Sequence, residues 1–515
     1  MRSALRRSTA AVVLAGAACG DGAATQPAPV ASAPAPVDPS ASAPPRDAAP
    51  ADAGTDVVFE IRDAATKAPM PGKLTFVGVD GTASPLFTTS DVALEQDRSM
   101  RAFNRVMTLS GDGRLQIPKG RYDVYVTRGP AWSMHLERGL ELGGKEVTIE
   151  AELTREIDTT GWISGDFHVH AERSFDSKVP MRARVYEFIA EGVDLLVATD
   201  HNAVADYAPI IRELGVDDRI ASLRGDEITT RDWGHFGTFP LDEGATAFPA
   251  KGRTPAAIFA DVREHAPKAL IDVNHPRFDR GLGYFRTGIF DRTQAKFGRS
   301  GASLDFDAVE VLNGYEGSSP VQVDEVMKDW FALIAHGYLV TAMGNSDTHH
   351  LDASLAGYPR NFIPVRAAVG SPALAGEVVE AIRGKRSFLT TAPFVAATVG
   401  GATIGDTVRA VEGRVTVHVR VRAASWVGLD ALSIYAGGAV VATRPLSGRD
   451  PLRFDDDITV DAPGDTFVVA RVEGKEPLPL VVGDGAKYVA YPLAVTNPIW
   501  IDGDGDGRFT PPSGR

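Results

Sequence analysis

Val193–His201 reads VDLLVATDH, a strongly apolar strand that stops on Asp200 and His201, and the helix-like stretch VPMRARVYEFIAEG (179–192) stands directly before it. The same alternation continues along the chain. KALIDVNHP (268–276), FDAVEVLNG (306–314) and YLVTAMGNSD (338–347) read as strands, while TPAAIFADVREHA (254–266), VDEVMKDWFALIAHG (323–337) and ALAGEVVEAIRG (373–384) have helical spacing. Repeated strand–helix order predicts an α/β domain over 160–394, built on a parallel sheet or barrel. Its strands end in polar residues, and in α/β barrels sites gather at the C-terminal ends of strands.

Of the eleven histidines, nine fall between His168 and His350, a clustering that composition does not require. In GDFHVHAERSFDS (165–177), His168 and His170 lie two apart at a strand end and therefore point to one face, and Asp176 follows. RGDEITTRDWGHFGTF (224–239) supplies Glu227 and His235, and DVNHPR (272–277) supplies His275 and Arg277. GNSDTHH (344–350) spaces Asp347 and His349 as the first pair is spaced. Mixed imidazole and carboxylate donors suit Zn, Mn or Fe, and a carboxylate such as Glu227 can bridge two cations. The lone cysteine, Cys19, leaves no thiolate for a structural zinc site in this region.

This order of HxH, DH, E, H, H and DxH resembles the PHP (polymerase and histidinol phosphatase) metallohydrolase superfamily. The flanking GDFHVH, ATDHN, NHPR and GNSDTHH, with the closing GEVVEAIRGKRSFLTTAPFV (376–395), are most similar to its exported carbaryl-hydrolase-like branch. The resemblance implies a distorted (β/α)7 barrel holding two or three divalent metals. One would take His168, His170, Glu227 and Asp347; a second would share Glu227 and add His235 and His275. A third would use Asp176, His201 and His349. Some relatives carry His where Asp176 stands, so two against three metals stays open. Asp200 is either a ligand or the acceptor that fixes a neighbouring imidazole. Arg277 is either a clamp for a developing oxyanion or a surface charge. The implied reaction is hydrolysis of an ester, carbamate or amide, or phosphoester by a metal-activated hydroxide, with His349, Asp200 or His350 protonating the leaving group. His350 and Asn313 are candidates for lining the pocket, and His265, His336 and His418 read as structural.

Short alternating runs split by turn residues predict β-sandwich-like domains on both sides, over 56–155 and 395–515. The first contains GRLQIPKGRYDVYV (113–126), which resembles carboxypeptidase-regulatory-like β modules. WIDGDGDGRF (500–509) places Asp502, Asp504 and Asp506 as the start of a calcium loop or as a tight Asp–Gly turn; the twelfth loop position is Ser513 rather than Glu. At the start, Arg2, Arg6 and Arg7 precede the apolar run Ala10–Ala18 and then Cys19. That layout resembles a bacterial lipoprotein signal over 1–19, implying a lipid anchor at Cys19 and a place in the cell envelope. The Ala/Pro/Ser-rich segment 20–55 reads as an extended tether. A net charge of −14 argues against a nucleic-acid partner and leaves a small molecule as the expected substrate. The competing reading is a surface-tethered binding protein with a vestigial or structural metal site.

Overall fold

Thr55–Asp63 alternates buried and half-buried side chains along its length, so one face must be covered. It is covered by a sandwich. The strand lies between Asp112–Ile117 and Val147–Leu153 in a three-stranded sheet, which packs on a six-stranded sheet containing Gly72–Gly78 and Gly120–Thr127. Val57, Phe59, Ile61, Leu74, Phe76 and Val124 fill the interior. The computed structural model describes residues 54–279, 281–314, 320–352, 356–479 and 489–512. The leader, Cys19, nearly all of the tether and Ser513 lie outside them.

In the middle region, Trp162–Val169, Leu195–Ala198 and Ala221–Arg224 pair in parallel, as the strand–helix order demands. Asp226–Thr229, His235–Phe239, Leu270–Val273, Ala308–Asn313 and Thr341–Asn345 form a second, five-stranded sheet. The first two of its pairings are antiparallel and the last two parallel. The pairing does not show a (β/α)7 barrel: the region is rich in strands, and the parallel bridges His201–Glu227 and Val169–Thr348 join its two sheets on either side. The chain passes from one sheet to the other at Gly225. A Cβ there would stand 2.9 Å from the carbonyl oxygen of Ala198 and 3.0 Å from that of Thr238, so a side chain would push the two sheets apart. At the opposite join, Asp347 donates its N–H to the carbonyl of His168 at 2.9 Å, and His170 donates to that of Thr348 at 3.1 Å. Phe167, Leu195, Val197, Phe239, Leu270 and Met343 pack between the sheets. Both sheets thus carry their polar strand ends to one place.

The first sheet does not stop at the middle region. From Trp162–Val169 it continues through Arg360–Pro364 and Phe388–Thr390 to Leu493–Thr496, Thr466–Glu473 and the hairpin Ala431–Pro445. A four-stranded sheet containing Phe394–Val399, Arg414–Arg422 and Leu452–Asp461 packs over this extension through Val417, Val419, Leu432, Ile434, Ala470 and Val472. At the end of the chain, both carboxylate oxygens of Asp502 accept amides, Oδ1 from Gly505 and Asp506 and Oδ2 from Gly507. The repeat of Asp502, Asp504 and Asp506 is thus closed as a tight turn by its own backbone.

The N-terminal sandwich docks on the middle region through a buried ion pair. The Lys73 ammonium meets the Glu191 carboxylate, both under a tenth exposed, and the Tyr358 hydroxyl donates to the same carboxylate at 3.1 Å. Removing one partner strands the other charge in a dry interior. Lys73→Met should destabilise the protein by about 3–5 kcal/mol, read as a lower denaturation midpoint; an unchanged midpoint would show that the pair does not hold the two regions together.

Candidate metal centre

Glu227 sits in the short strand Asp226–Thr229, fully buried, and its carboxylate is ringed by imidazoles. His168 Nε2 lies 3.0 Å from it, His170 Nε2 3.7 Å, His201 Nδ1 2.5 Å, His235 Nδ1 3.2 Å and His275 Nε2 3.5 Å. The elements explain the convergence. His168 and His170 leave one face of the strand end at Val169, His201 follows the parallel strand Leu195–Ala198, and His235 opens the antiparallel strand beside Glu227. His275 and Asp347 follow strands Leu270–Val273 and Thr341–Asn345. Both are held in left-handed backbone, with φ of 29° and 51°. Such strain is of order 1–3 kcal/mol per residue and is found where a site dictates side-chain direction.

Asp347 forms a second focus. Its Oδ1 is 3.1 Å from both His168 Nε2 and His170 Nε2 and 3.5 Å from His349 Nδ1. A third focus lies toward solvent, where Asp176 Oδ2 is 3.1 Å from His201 Nε2 and 3.5 Å from His349 Nε2. The potential ligand atoms fall into sets of three or four: His168–His170–Asp347, His168–Glu227–His275, His201–Glu227–His235 and His170–Asp176–His201–His349. All nine residues expected to bind metal are brought together. The sets overlap more than the sequence assignment did, because His168, His170 and His201 each stand between two foci.

The donor set fits divalent cations better than it fits hydrogen bonding among its own members. One oxygen of Glu227 is approached by His168, His235 and His275 and also by the Asn274 amide at 2.9 Å. Four nitrogens exceed the two lone pairs of that oxygen. His168 Nε2 faces both Glu227 and Asp347, and one N–H cannot serve both. His235 Nδ1, 3.2 Å from Glu227, and His170 Nε2, 3.1 Å from Asp347, are buried and face these carboxylates without forming a hydrogen bond among the described residues. Ligands held about 2.0–2.2 Å from a tetrahedral ion are separated by roughly 3.4 Å, close to the spacings seen.

Electrostatics act in the same direction. Burial would raise the Glu227 carboxyl, but the charges of His201, His235 and His168 outweigh it and hold the group well below the usual carboxylate range. Burial opposes charge on His201 as well, yet Glu227 and Asp176 push it up to about 10. His170 goes the other way: burial, and then His349, depress it. Burial also raises Asp200. Asp200 sits behind the imidazoles. Its Oδ1 accepts from the Ser174 hydroxyl and the Ala171 amide, both at 2.8 Å, and Ser174 Oγ lies 2.9 Å from His170 Nδ1. That chain turns His170 Nε2 toward the foci.

Of the other expected residues, only Asn313 meets one of the foci. Arg277 gives its fork to Asp329, with two hydrogen bonds of 2.6 Å, so its charge is neutralised on helix Pro320–Ala335 rather than delivered to the imidazoles. His350 turns outward, with Nδ1 2.9 Å from Asp91 of the N-terminal region. Asn313 donates to Glu310 at 2.9 Å and to Asp347 at 3.2 Å. Helical His265 and His336 have Nδ1 beside the carbonyls of Asp261 and Ala332, and His418 pairs with Asp455 and Asp457 on an exposed strand.

Glu310 was missed by sequence reasoning. It is buried and accepts from the Asn345 and Asn313 side chains and the His275 amide. Its Oε1 is 2.9 Å from His168 Nδ1. It thereby fixes the His168 tautomer that presents Nε2 to Glu227 and Asp347. The signal was a single carboxylate inside the apolar run FDAVEVLNG. Asn274, whose amide donates to Glu227, was also missed, because a polar residue next to His275 carries no ligand signal of its own.

Neither family models nor curated proteins give a match to the chain. Among solved structures, it is similar to a two-domain protein containing a predicted PHP-like metal-dependent phosphoesterase from Bacteroides vulgatus. That match has 17% identity and a TM-score of 0.34, and covers 66% of this chain and 97% of the other. It is also similar to a candidate metal-dependent phosphoesterase from Bifidobacterium adolescentis, at 15% identity and a TM-score of 0.24, over 40% of this chain and 89% of the other. Superpositions at this level decide neither fold nor function, so the reading of the site rests on its own geometry.

Glu310→Ala removes the acceptor that orients His168 without touching a ligand atom. It should weaken Zn²⁺ or Mn²⁺ binding by about 10–100-fold, measured by competition with a chromogenic chelator. Unchanged affinity would show that His168 is positioned by other means.

Proposed function

We propose that this chain is a metal-dependent hydrolase that cleaves an ester-type bond (phosphoester, carboxylic ester or carbamate) at cations gathered round Glu227. The observation that carries the proposal is the meeting of five imidazoles on one buried carboxylate, all within 3.7 Å of it. Structural metal sites are closed by four ligands, commonly thiolates; this cluster holds more donors than one closed shell uses and no sulfur. Membership of the PHP superfamily, in its carbaryl-hydrolase-like branch, belongs to the same reading and is supported by the order of the ligand motifs.

His168, His170, Glu227 and Asp347 would hold one cation and Glu227, His235 and His275 a second, with Asp176, His201 and His349 as the outer set. Divalent cations so held supply Lewis-acid polarisation and make water acidic near neutral pH. The chain does the rest. Glu310 and the Asp200–Ser174 pair fix His168 and His170 in the tautomers that bind. Strained Asp347 and His275 keep their side chains on the shared pocket. If only the two inner cations are bound, His349 stands beside Asp176 at the solvent side, placed to hand a proton to the leaving group. Phe175, 80% exposed and stacked on His201, offers an apolar rim to a substrate.

Turnover of purified, Mn²⁺- or Zn²⁺-loaded protein on chromogenic phosphate monoester, phosphate diester, carboxylic ester and naphthyl carbamate tests the reading. At least one class should be hydrolysed, and Glu227→Gln should lower that rate on the order of a hundredfold or more. Metal-loaded protein inert on every class would defeat it.

We also propose that the chain is a lipoprotein of the cell envelope, anchored at Cys19 and spaced from the membrane by the tether. The supports are the basic start, the short apolar run and the Ala/Pro-rich composition of 20–55. Among the described residues no helix is long and apolar enough to cross a membrane. Cys19→Ala should move the expressed protein from the detergent-extracted membrane fraction to the aqueous one; an unchanged distribution would refute the anchor.

A further inference from the structure

A cavity of about 200 Å³ opens where the N-terminal sandwich meets the middle region. Four arginines line it: Arg128 and Arg155 from the sandwich, and Arg219 and Arg360 from the middle region. It lies at the far end of the parallel strands from the imidazole cluster. Asp194 and Ser164, also in its wall, stand at the N-terminal ends of strands whose C-terminal ends lead to Asp200 and His168. Six residues of extended chain separate Asp194 from Asp200, roughly 20 Å.

The cavity has more cations than its own acids use. Arg360 is 1% exposed, and it donates to the backbone carbonyls of Gly357 and Glu191 rather than to a carboxylate. Its Nη2 is buried with no hydrogen-bond partner. Arg128 likewise donates to the carbonyls of Pro71 and Ile189, and burial lowers it to about 10. Arg155 donates to the Thr159 hydroxyl, and Arg219 to the carbonyl of Leu109 with Asp218 4.0 Å away. The two acids in the wall are turned to other partners. Glu191 faces Lys73 and Tyr358, and Asp194 accepts from the Ser164 amide and hydroxyl at 2.8 and 3.0 Å. Asp194 is the one wall acid whose charge reaches Arg128 and Arg360, without an ion pair to either, so in a chain of net charge −14 the four guanidiniums leave the wall with an excess of positive charge. Guanidiniums bind oxyanions through paired, charge-assisted hydrogen bonds.

We propose that this cavity binds a phosphate-class oxyanion, either inorganic phosphate or the phosphoryl group of a small monoester, between the two regions and apart from the metal centre. The bound anion bridges arginines of both regions and so ties the sandwich to the middle region. The proposal does not depend on the hydrolase reading.

Isothermal titration of inorganic phosphate, and separately of glycerol 3-phosphate, into the full-length protein tests it. Arg155→Gln and Arg219→Gln, singly and together, alter the two exposed arginines of the rim and should leave the fold and metal content intact. Each should weaken binding about tenfold or more, whereas Glu227→Gln, which disturbs the metal centre, should leave it unchanged. Tighter binding of the monoester would identify an organic phosphate as the ligand, and the reverse order free phosphate; either order supports the site. Absence of binding, rim variants that bind like the wild type, or binding lost in Glu227→Gln would overturn it.

Discussion

A buried carboxylate is expensive unless positive charge or hydrogen bonds meet it, and Glu227 is fully buried with five imidazoles around it. An isolated ion there would be opposed by several kcal/mol of lost hydration. The fold answers by bringing strand ends from two sheets to the same point, and much of the unusual local structure follows. Gly225 lets one chain run serve both sheets. Left-handed Asp347 and His275 turn back toward the carboxylate. Glu310, Asp272, Asn345 and Asn361 form a polar layer under it, linked by hydrogen bonds from Asn345 to both acids and from Asn361 to Asn345. Burial, and then the neighbouring Glu310, raise the Asp272 carboxyl well above the usual carboxylate range.

The centre is graded from inside to outside. His168 and Glu227 are almost wholly enclosed, whereas Asp176 is over a third exposed. The inner set is fixed by Glu310 and by Asp200 through Ser174, and the outer set has solvent on one side. That gradient suits permanent cations within and exchange of substrate without. Arg277 is bound to Asp329 on helix Pro320–Ala335.

Much of the site was legible because its residues are of types that rarely cluster by chance, at spacings of two that place side chains on one face. The pairs His168/His170 and Asp347/His349, and the strand-ending Asp200–His201, identify the site without coordinates. The alternation of strands and helices likewise gave the α/β middle region. The features that were not legible depend on pairing between distant parts of the chain. Leu493–Thr496 completes a sheet begun more than three hundred residues earlier, and nothing local in LAVT marks its partner. The antiparallel pairing of Asp226–Thr229 with His235–Phe239 arises because the chain reverses within a few residues after Thr229, which strand–helix alternation does not signal. Glu310 was hidden by its surroundings, since one acid in an apolar run reads as an edge position until its partners are seen. Arg277, turned to Asp329, and His350, turned to Asp91, show that proximity in sequence to candidate ligands does not fix where a long or exposed side chain points.

Anomalous X-ray diffraction from crystals of the full-length protein equilibrated with Zn²⁺ or Mn²⁺ addresses the central claim most directly. Peaks about 2.0–2.2 Å from the oxygens of Glu227, shared with His168 on one side and with His235 or His275 on the other, are the predicted result. Crystals with no anomalous peak at Glu227, and with the imidazoles hydrogen-bonded to it directly, would contradict the account.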